Sequence, residues 1–168
     1  MKKLFFIAFL AFASSICFGQ KEYTIILLNY QKKDFENAKK EVDKLLADPK
    51  TKDKTETIMW KVYVYSALYA DPTLSSKYPE ASQEAYDALT KYAAIEPDLK
   101  KMKENGLDPL SNLYIVSFNR GKEFFTQKTY DKAYDYFLLS KKTSEFIGKN
   151  GLNSSGSYTI DTTVILYT

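Results

Sequence analysis

Apolar residues recur at helical spacing almost throughout residues 21–147, and this periodicity constrains the fold more strongly than any other feature. Five well-spaced prolines separate the helical stretches. The pattern predicts helices over residues 22–32, 34–47, 55–70, 79–95, 98–104, 109–127 and 130–147. Because short turns join these helices, consecutive helices should pack as antiparallel neighbours. The sequence therefore predicts an all-α fold.

The first 20 residues follow the order of segments found in a secretory signal peptide. Lys2 and Lys3 carry positive charge, residues 4–13 form an uninterrupted apolar run, and residues 14–20 are mostly small or polar. The apolar run has about half the roughly 20 residues that a helix needs to cross a bilayer, so a membrane anchor is the weaker interpretation. We predict a signal peptide over residues 1–19, with cleavage after Gly19.

Cys17 raises a second alternative, that of a lipoprotein. Lipidation requires a small residue before the cysteine, and this chain has Ile16 there. We therefore expect an exported protein that is periplasmic or associated with the cell envelope, with no transmembrane segment after cleavage. Any association with a membrane would then come through a partner.

The composition of the mature chain argues against an enzyme. The sequence contains no histidine, and its single cysteine, Cys17, would leave with the signal peptide. This excludes Ser–His and Cys–His catalysis, disulfides and the usual zinc, haem and iron–sulfur ligand sets. Carboxylates recur beside lysines at helical spacing, as on a solvated helix surface. We predict no catalytic residue, no cofactor and no metal site.

The charge of the mature chain argues against nucleic acid as a partner. The full sequence has a formal charge of +3, and loss of Lys2 and Lys3 without any acidic residue lowers it to +1. Proteins that bind nucleic acid depend on clustered basic residues, and no basic block is present.

The clearest internal repeat lies in residues 114–147. Its small and aromatic residues follow a fixed order: Gly121, Phe124, Tyr130, Ala133, Phe137 and Ser140. Small residues let two helices approach closely, and aromatic residues fill the gaps beside them. The order and spacing resemble the tetratricopeptide repeat (TPR), a helix–turn–helix unit. The sequence departs from the family at Ser117 and Glu145, where the repeat has tryptophan and proline.

A second unit matches the repeat less completely. Trp60 and Tyr63 match aromatic positions of a first helix, Ala85 and Leu89 match a second helix, and Pro97 matches the closing proline. The turn between its two helices is longer than the family's. The first two predicted helices form a third candidate unit. The resemblance thus covers most of residues 22–147.

Resemblance to the TPR family implies a right-handed solenoid of stacked helix pairs over residues 20–147. In that family the first helices of successive units line a concave groove, which binds a protein or peptide segment. Carried over position by position, the groove residues are Lys61, Tyr65, Tyr69, Phe118, Asn119 and Lys122. We expect these side chains to be exposed and to form the binding site of an interaction scaffold.

Two alternatives stay open. An ordinary helical bundle with aromatic core stripes would also fit the periodicity, and its first and last helices would pack together. A glycan-binding helical protein of the envelope, of the type used in outer-membrane nutrient uptake, would use tyrosines as platforms for sugar rings. The chain contains 14 tyrosines, although tyrosine at the edge of a core is the simpler explanation.

Residues 148–168 differ in composition from the helices before them. Residues 148–157 are rich in glycine, serine and asparagine, and residues 158–167 are rich in β-branched and apolar residues. We expect a flexible loop followed by the start of a further, truncated repeat, with a short strand as the alternative.

Overall fold

The computed structural model describes residues 21–152, which contain helices and turns but no strand. The all-α prediction is confirmed for this range. The predicted signal peptide and the segment over residues 153–168 lie outside the described residues. None of the helices within residues 21–152 combines the length and the apolarity needed to cross a membrane.

The helices follow the predicted periodicity closely. They are α1 (residues 21–31), α2 (Phe35–Ala47), α3 (Thr55–Ala70), α4 (Ala81–Ile95), α5 (Lys100–Asn105), α6 (Asp108–Ser111), a π-helical turn (Asn112–Val116), α7 (Ser117–Thr126) and α8 (Tyr130–Lys149). Helix α3 has the predicted ends. Helix α4 begins two residues late, because Pro79 and Glu80 lie in a turn.

Short-range side-chain and backbone preferences set several helix ends. The Asp34 carboxylate accepts a hydrogen bond of 3.2 Å from the backbone N–H of Asn37 and so caps α2. Helix α5 ends before Gly106, whose φ of +99° suits a residue without a Cβ. Pro109 lies in the first turn of α6, where its missing N–H costs nothing.

The predicted helix over residues 109–127 is continuous but contains the π-helical turn Asn112–Val116. A π turn leaves carbonyl groups outside the regular pattern of helical hydrogen bonds. Ser140 of α8 donates a hydrogen bond of 3.0 Å to the Tyr114 carbonyl oxygen in this turn. The apolar spacing of residues 109–127 does not predict this irregularity.

The hairpins α1–α2 and α7–α8 have the same turn. Lys33 and Lys128 adopt left-handed conformations, with φ of 59° and 61°. The N–H of Lys33 bonds to the Tyr30 carbonyl at 2.9 Å, and that of Lys128 bonds to the Phe125 carbonyl at 3.0 Å. The N–H of the following residue, Asp34 or Thr129, bonds to the carbonyl of Asn29 or Phe124, and the two bonds together form a Schellman motif. The two hairpins can therefore be compared residue by residue.

Helix α3 lies at the centre of the described structure. It packs against α2, α4, α6 and the π-helical turn, and side chains of α1 also contact it. Twelve of its 16 residues are buried. Because neighbours surround it, α3 lacks the solvent-facing stripe that a surface helix shows.

Helix α8 packs mainly against α7 and the π-helical turn. Gly121 of α7 lies directly under the ring of Phe137 in α8, and a Cβ added at Gly121 would lie 2.6 Å from Phe137 Cδ1. Ala133 and Ser140 are buried in the same hairpin. Small residues thus allow these two helices to approach closely.

Candidate functional site

The structure buries two of the predicted groove residues. Tyr65 and Tyr69 on α3 are only 4% and 3% exposed, so the expectation that these two side chains are exposed is wrong. The physical reason is that α2, α4 and α7 close around the side of α3 from which they project. Whether any of the six predicted residues contacts a partner stays a prediction.

Tyr65 joins α3 to α2. Its hydroxyl donates a hydrogen bond of 2.5 Å to the Asp43 carboxylate. The Nζ atoms of Lys39 and Lys61 lie 5.1 and 5.0 Å from the centre of its ring. Lys61 also forms an ion pair of 2.9 Å with Glu84 of α4. Burial and the neighbouring Asp43 raise the pKa of Tyr65, so its phenol stays protonated at neutral pH.

Tyr69 joins α3 to α7. Its hydroxyl shares a hydrogen bond of 2.8 Å with the Ser117 hydroxyl. Arg120, the single arginine of the sequence, donates a hydrogen bond of 2.8 Å to the Tyr69 carbonyl, and its guanidinium lies 4.4 Å from the ring centre. Burial raises the pKa of Tyr69 to about 12. These contacts hold the last turn of α3 against α7.

The other three predicted residues lie on α7. Phe118 is half-buried against Phe137, with the two ring centres 5.8 Å apart. Lys122 is exposed, and its Nζ lies 5.8 Å from the Phe118 ring centre. Asn119 is also exposed. Because Lys61 and Tyr65 face α2 and α4, the six residues do not form one continuous surface.

The residues predicted to pack the repeat are mostly buried. The buried ones are Trp60, Tyr63, Ala85, Leu89, Gly121, Ala133, Phe137 and Ser140. Phe124 is half-buried and stacks on Tyr136, with ring centres 5.4 Å apart. Tyr130 differs from the expectation, since it is 56% exposed and contacts Phe125 rather than filling the space between the helices.

A different groove opens between α1, the start of α3 and α5. It has a volume of about 980 Å³. The residues that line it are Tyr23, Thr24, Leu27, Asp53, Lys54, Thr55, Glu56, Met59, Trp60, Lys101, Glu104 and Asn105. Leu27 offers an exposed apolar side chain on one wall, and buried Met59 and Trp60 lie at the base. We call this site the α1–α3–α5 groove.

Ion pairs and hydrogen bonds fix the walls of the α1–α3–α5 groove. The Tyr23 and Thr57 hydroxyls share a hydrogen bond of 2.7 Å that ties α1 to α3. Lys101 of α5 pairs with Glu56 of α3 at 3.6 Å. The Tyr63 hydroxyl contacts the Met102 carbonyl at 3.2 Å, which holds α5 against α3. The rim therefore carries charges of both signs around an apolar base.

Trp60 has an unused hydrogen-bond donor. Its indole Nε1 is buried and has no hydrogen-bond partner among the described residues. Its ring packs against Tyr30 and Tyr63, with ring centres 6.0 and 5.7 Å away. A buried donor without a partner costs about 1–3 kcal/mol. An acceptor group that reached this donor would relieve that cost.

The loop between α3 and α4 is tied to α2. Lys77 pairs with Glu36 at 2.5 Å, and the Tyr78 hydroxyl donates to the same carboxylate at 2.6 Å. Both hydrogen bonds lower the pKa of Glu36. A small hollow of about 220 Å³ lies here beside Tyr65 and Lys39. Within residues 21–152 no group of three or more His, Cys, Asp or Glu side chains could hold a metal ion.

Comparison with known proteins identifies no relative. No family model, no curated protein and no solved structure matches this chain.

The sequence does not predict the α1–α3–α5 groove as a site, although the repeat pattern assigns Trp60 to packing. The groove depends on where α5 lies, and the residues between α4 and α6 do not predict that position. The one available indication was Leu27, an apolar residue of α1 that is 36% exposed although its neighbour Ile26 is fully buried in the core.

Proposed function

We propose that this protein is an exported, TPR-like interaction scaffold that binds a segment of another protein in the α1–α3–α5 groove. The observation that carries the proposal is the groove itself, an open site of about 980 Å³ with an apolar base and a charged rim. Such a combination suits a peptide, whose apolar side chains need burial and whose backbone needs polar partners. The predicted signal peptide supports a location in the cell envelope.

The repeat architecture is supported by several independent features. The turns at Lys33 and Lys128 have the same hydrogen bonds, and the helices occur in pairs of which each contacts the next. Close packing of Gly121 on Phe137 matches what the repeat requires of these positions. A stack of helix pairs of this kind stabilises each unit through its neighbours.

Recognition would combine two contributions. An apolar side chain of the partner would pack against Leu27 at the wall of the groove, above Met59 and Trp60 at its base. The Lys101–Glu56 ion pair and the nearby Glu104 would select partner sequences by charge.

In-cell photo-crosslinking tests this site. A photoreactive residue at Leu27 should give one discrete adduct with another protein, whereas the same residue at Lys142, exposed on α8, should not. A Leu27→Asp variant should reduce capture roughly tenfold or more, because a charge would enter an apolar contact. Absence of an adduct at Leu27, or the same adducts at both positions, would contradict the proposal.

A glycan-binding protein is the second candidate, and the polar rim is the observation that favours it. Asp53, Glu104 and Asn105 offer carboxylate and amide groups at the groove, as sugar hydroxyls require. Against it, Trp60 is buried and presents no open ring face for stacking. Since Trp60 is the only tryptophan, its fluorescence reports on the groove. Saturable quenching of Trp60 fluorescence by an oligosaccharide, without quenching by a peptide from the crosslinked partner, would favour the glycan-binding function.

A further inference from the structure

The last hairpin exposes an aromatic pair. Phe125 at the end of α7 and Tyr130 at the start of α8 are 44% and 56% exposed, with ring centres 5.4 Å apart. Tyr134, one turn further along α8, is 47% exposed. A hollow of about 300 Å³ lies beside them, and Phe137 lies at its base. Large aromatic side chains grouped in this way mark interaction surfaces. We call this surface the tail face.

The first hairpin carries the same aromatic pair at the same turn. Tyr30 and Phe35 occupy the same positions relative to the turn at Lys33 as Phe125 and Tyr130 occupy relative to the turn at Lys128. The ring centres of Tyr30 and Phe35 are 5.6 Å apart. Here the pair is half-buried, because Tyr30 packs against Trp60 and Tyr63 of α3, 6.0 and 5.9 Å away. In the hairpin α1–α2, helix α3 therefore covers the aromatic pair.

Helix α1 is itself the first helix of a pair, and its outward side is apolar. Ile25 and Leu28 are 38% and 46% exposed, whereas Ile26 is fully buried. In the repeat register, Ile25 takes the position that Tyr63 takes on α3. Tyr63 is one of the side chains that cover Tyr30. We call the outward side of α1 the head face.

Charged side chains border both apolar faces. Lys21 and Glu22 precede Ile25 on α1, and Lys32 follows Leu28 in the turn after α1. At the tail face, exposed Asp131 lines the hollow beside Tyr130, and exposed Lys128 lies in the turn between Phe125 and Tyr130. The lysines beside the head face can pair with Asp131 when the two faces meet.

We propose that this protein associates head to tail with a second copy of itself, the head face of one copy packing on the tail face of the next. In this contact Ile25 covers the Phe125–Tyr130 pair as Tyr63 covers Tyr30 within one chain. The interface is heterologous, so each copy keeps one head face and one tail face. Association of this type continues into chains of copies or closes into a ring.

Sedimentation of the purified protein tests this proposal. The average mass should rise steadily beyond that of a dimer between about 10 μM and 1 mM, the range of a moderate interface. Ile25→Glu and Tyr130→Glu should each remain monomeric over this range, because a charge enters the apolar contact. Thr90→Glu, the same change of charge at an exposed residue of α4, should behave as the wild type. Circular dichroism should show unchanged helicity in all three variants.

Mixing the two monomeric variants gives the sharpest result. Ile25→Glu keeps an intact tail face and Tyr130→Glu keeps an intact head face, so an equimolar mixture should form dimers and nothing larger. A wild-type monomer at every concentration would overturn the proposal, and is the result expected if another protein or another part of the chain covers these faces. Failure of the mixture to form dimers would also overturn it.

Discussion

The hairpins α1–α2 and α7–α8 share one turn geometry, yet one is covered by a following helix and the other is exposed. Tyr30 and Phe35 in the first are half-buried against α3, whereas Phe125 and Tyr130 in the last are 44% and 56% exposed. Local sequence therefore fixes the turn and the aromatic contact within each hairpin. Burial of the contact depends on whether another helix packs against the hairpin, as α3 packs against the first one.

The comparison also shows how one framework accepts different side chains. Ile26 and Val42 of the first hairpin stand where Gly121 and Phe137 stand in the last. The first hairpin fills the space between its helices with two aliphatic side chains, and the last fills it with one aromatic ring above a glycine. The two pairs have the same number of side-chain carbons, which are divided differently between the two helices.

The largest expected effect comes from removing the covered aromatic ring. Tyr30→Ala should lower the free energy of unfolding by about 3 kcal/mol, because its contacts with Trp60 and Tyr63 are lost. Phe125→Ala, at the matching exposed position, should cost about 1 kcal/mol or less. Urea denaturation at low protein concentration measures both values. Equal losses would show that the two hairpins are not differently covered.

Alkaline pH should weaken the covered hairpin next. Burial, with a smaller effect of Asp108, raises the pKa of Tyr30 from 10.0 to about 12. The pKa of Tyr30 is therefore higher in the folded than in the unfolded protein. The contribution of the protonated Tyr30 phenol to the free energy of unfolding is fully present below pH 10 and is lost as the pH rises through 12.

Thermal unfolding measured between pH 9 and pH 12 checks this expectation. The wild type should lose stability over this range, and in Tyr30→Phe the loss in the free energy of unfolding should be smaller by on the order of 2 kcal/mol. A loss of the same size in wild type and variant would assign the effect to other groups.

The smallest expected effect tests the glycine of the last hairpin. Gly121→Ala should cost about 1–2 kcal/mol, because the added Cβ would lie 2.6 Å from Phe137 Cδ1 and this outweighs the better helix propensity of alanine. Adding Phe137→Val, which copies Val42 of the first hairpin, should cancel the steric part. A double-mutant cycle measured by urea denaturation gives the coupling, and zero coupling would contradict the assigned contact.

Much of the fold could be predicted because helices depend on local patterns. The ends of α3 at Thr55 and Ala70 and the stop at Gly106 match the sequence prediction, since apolar spacing, prolines and a glycine define them. The π-helical turn at Asn112–Val116 could not be predicted, because the apolar spacing of residues 109–127 is that of an ordinary helix and the bond from Ser140 to the Tyr114 carbonyl comes from another helix.

The candidate site was less predictable than the fold. Tyr65 and Tyr69 were expected to be exposed because the repeat places such positions in its groove. They are buried because helices distant in sequence pack around them, and Asp43 and Ser117 on those helices supply partners for their hydroxyls. The repeat pattern predicts only a packing role for Trp60, and its place at the base of a groove follows from the position of α5.

The sequence alone determined the helices, their order and the close approach at Gly121, because these depend on spacing within a few residues or between neighbouring helices. Only the tertiary structure decided which aromatic residues are covered, where the groove opens and which faces stay exposed. The reason is physical: side-chain burial depends on all surrounding helices at once. A helix such as α3 is surrounded, whereas α1 and α8 are buried on one side only.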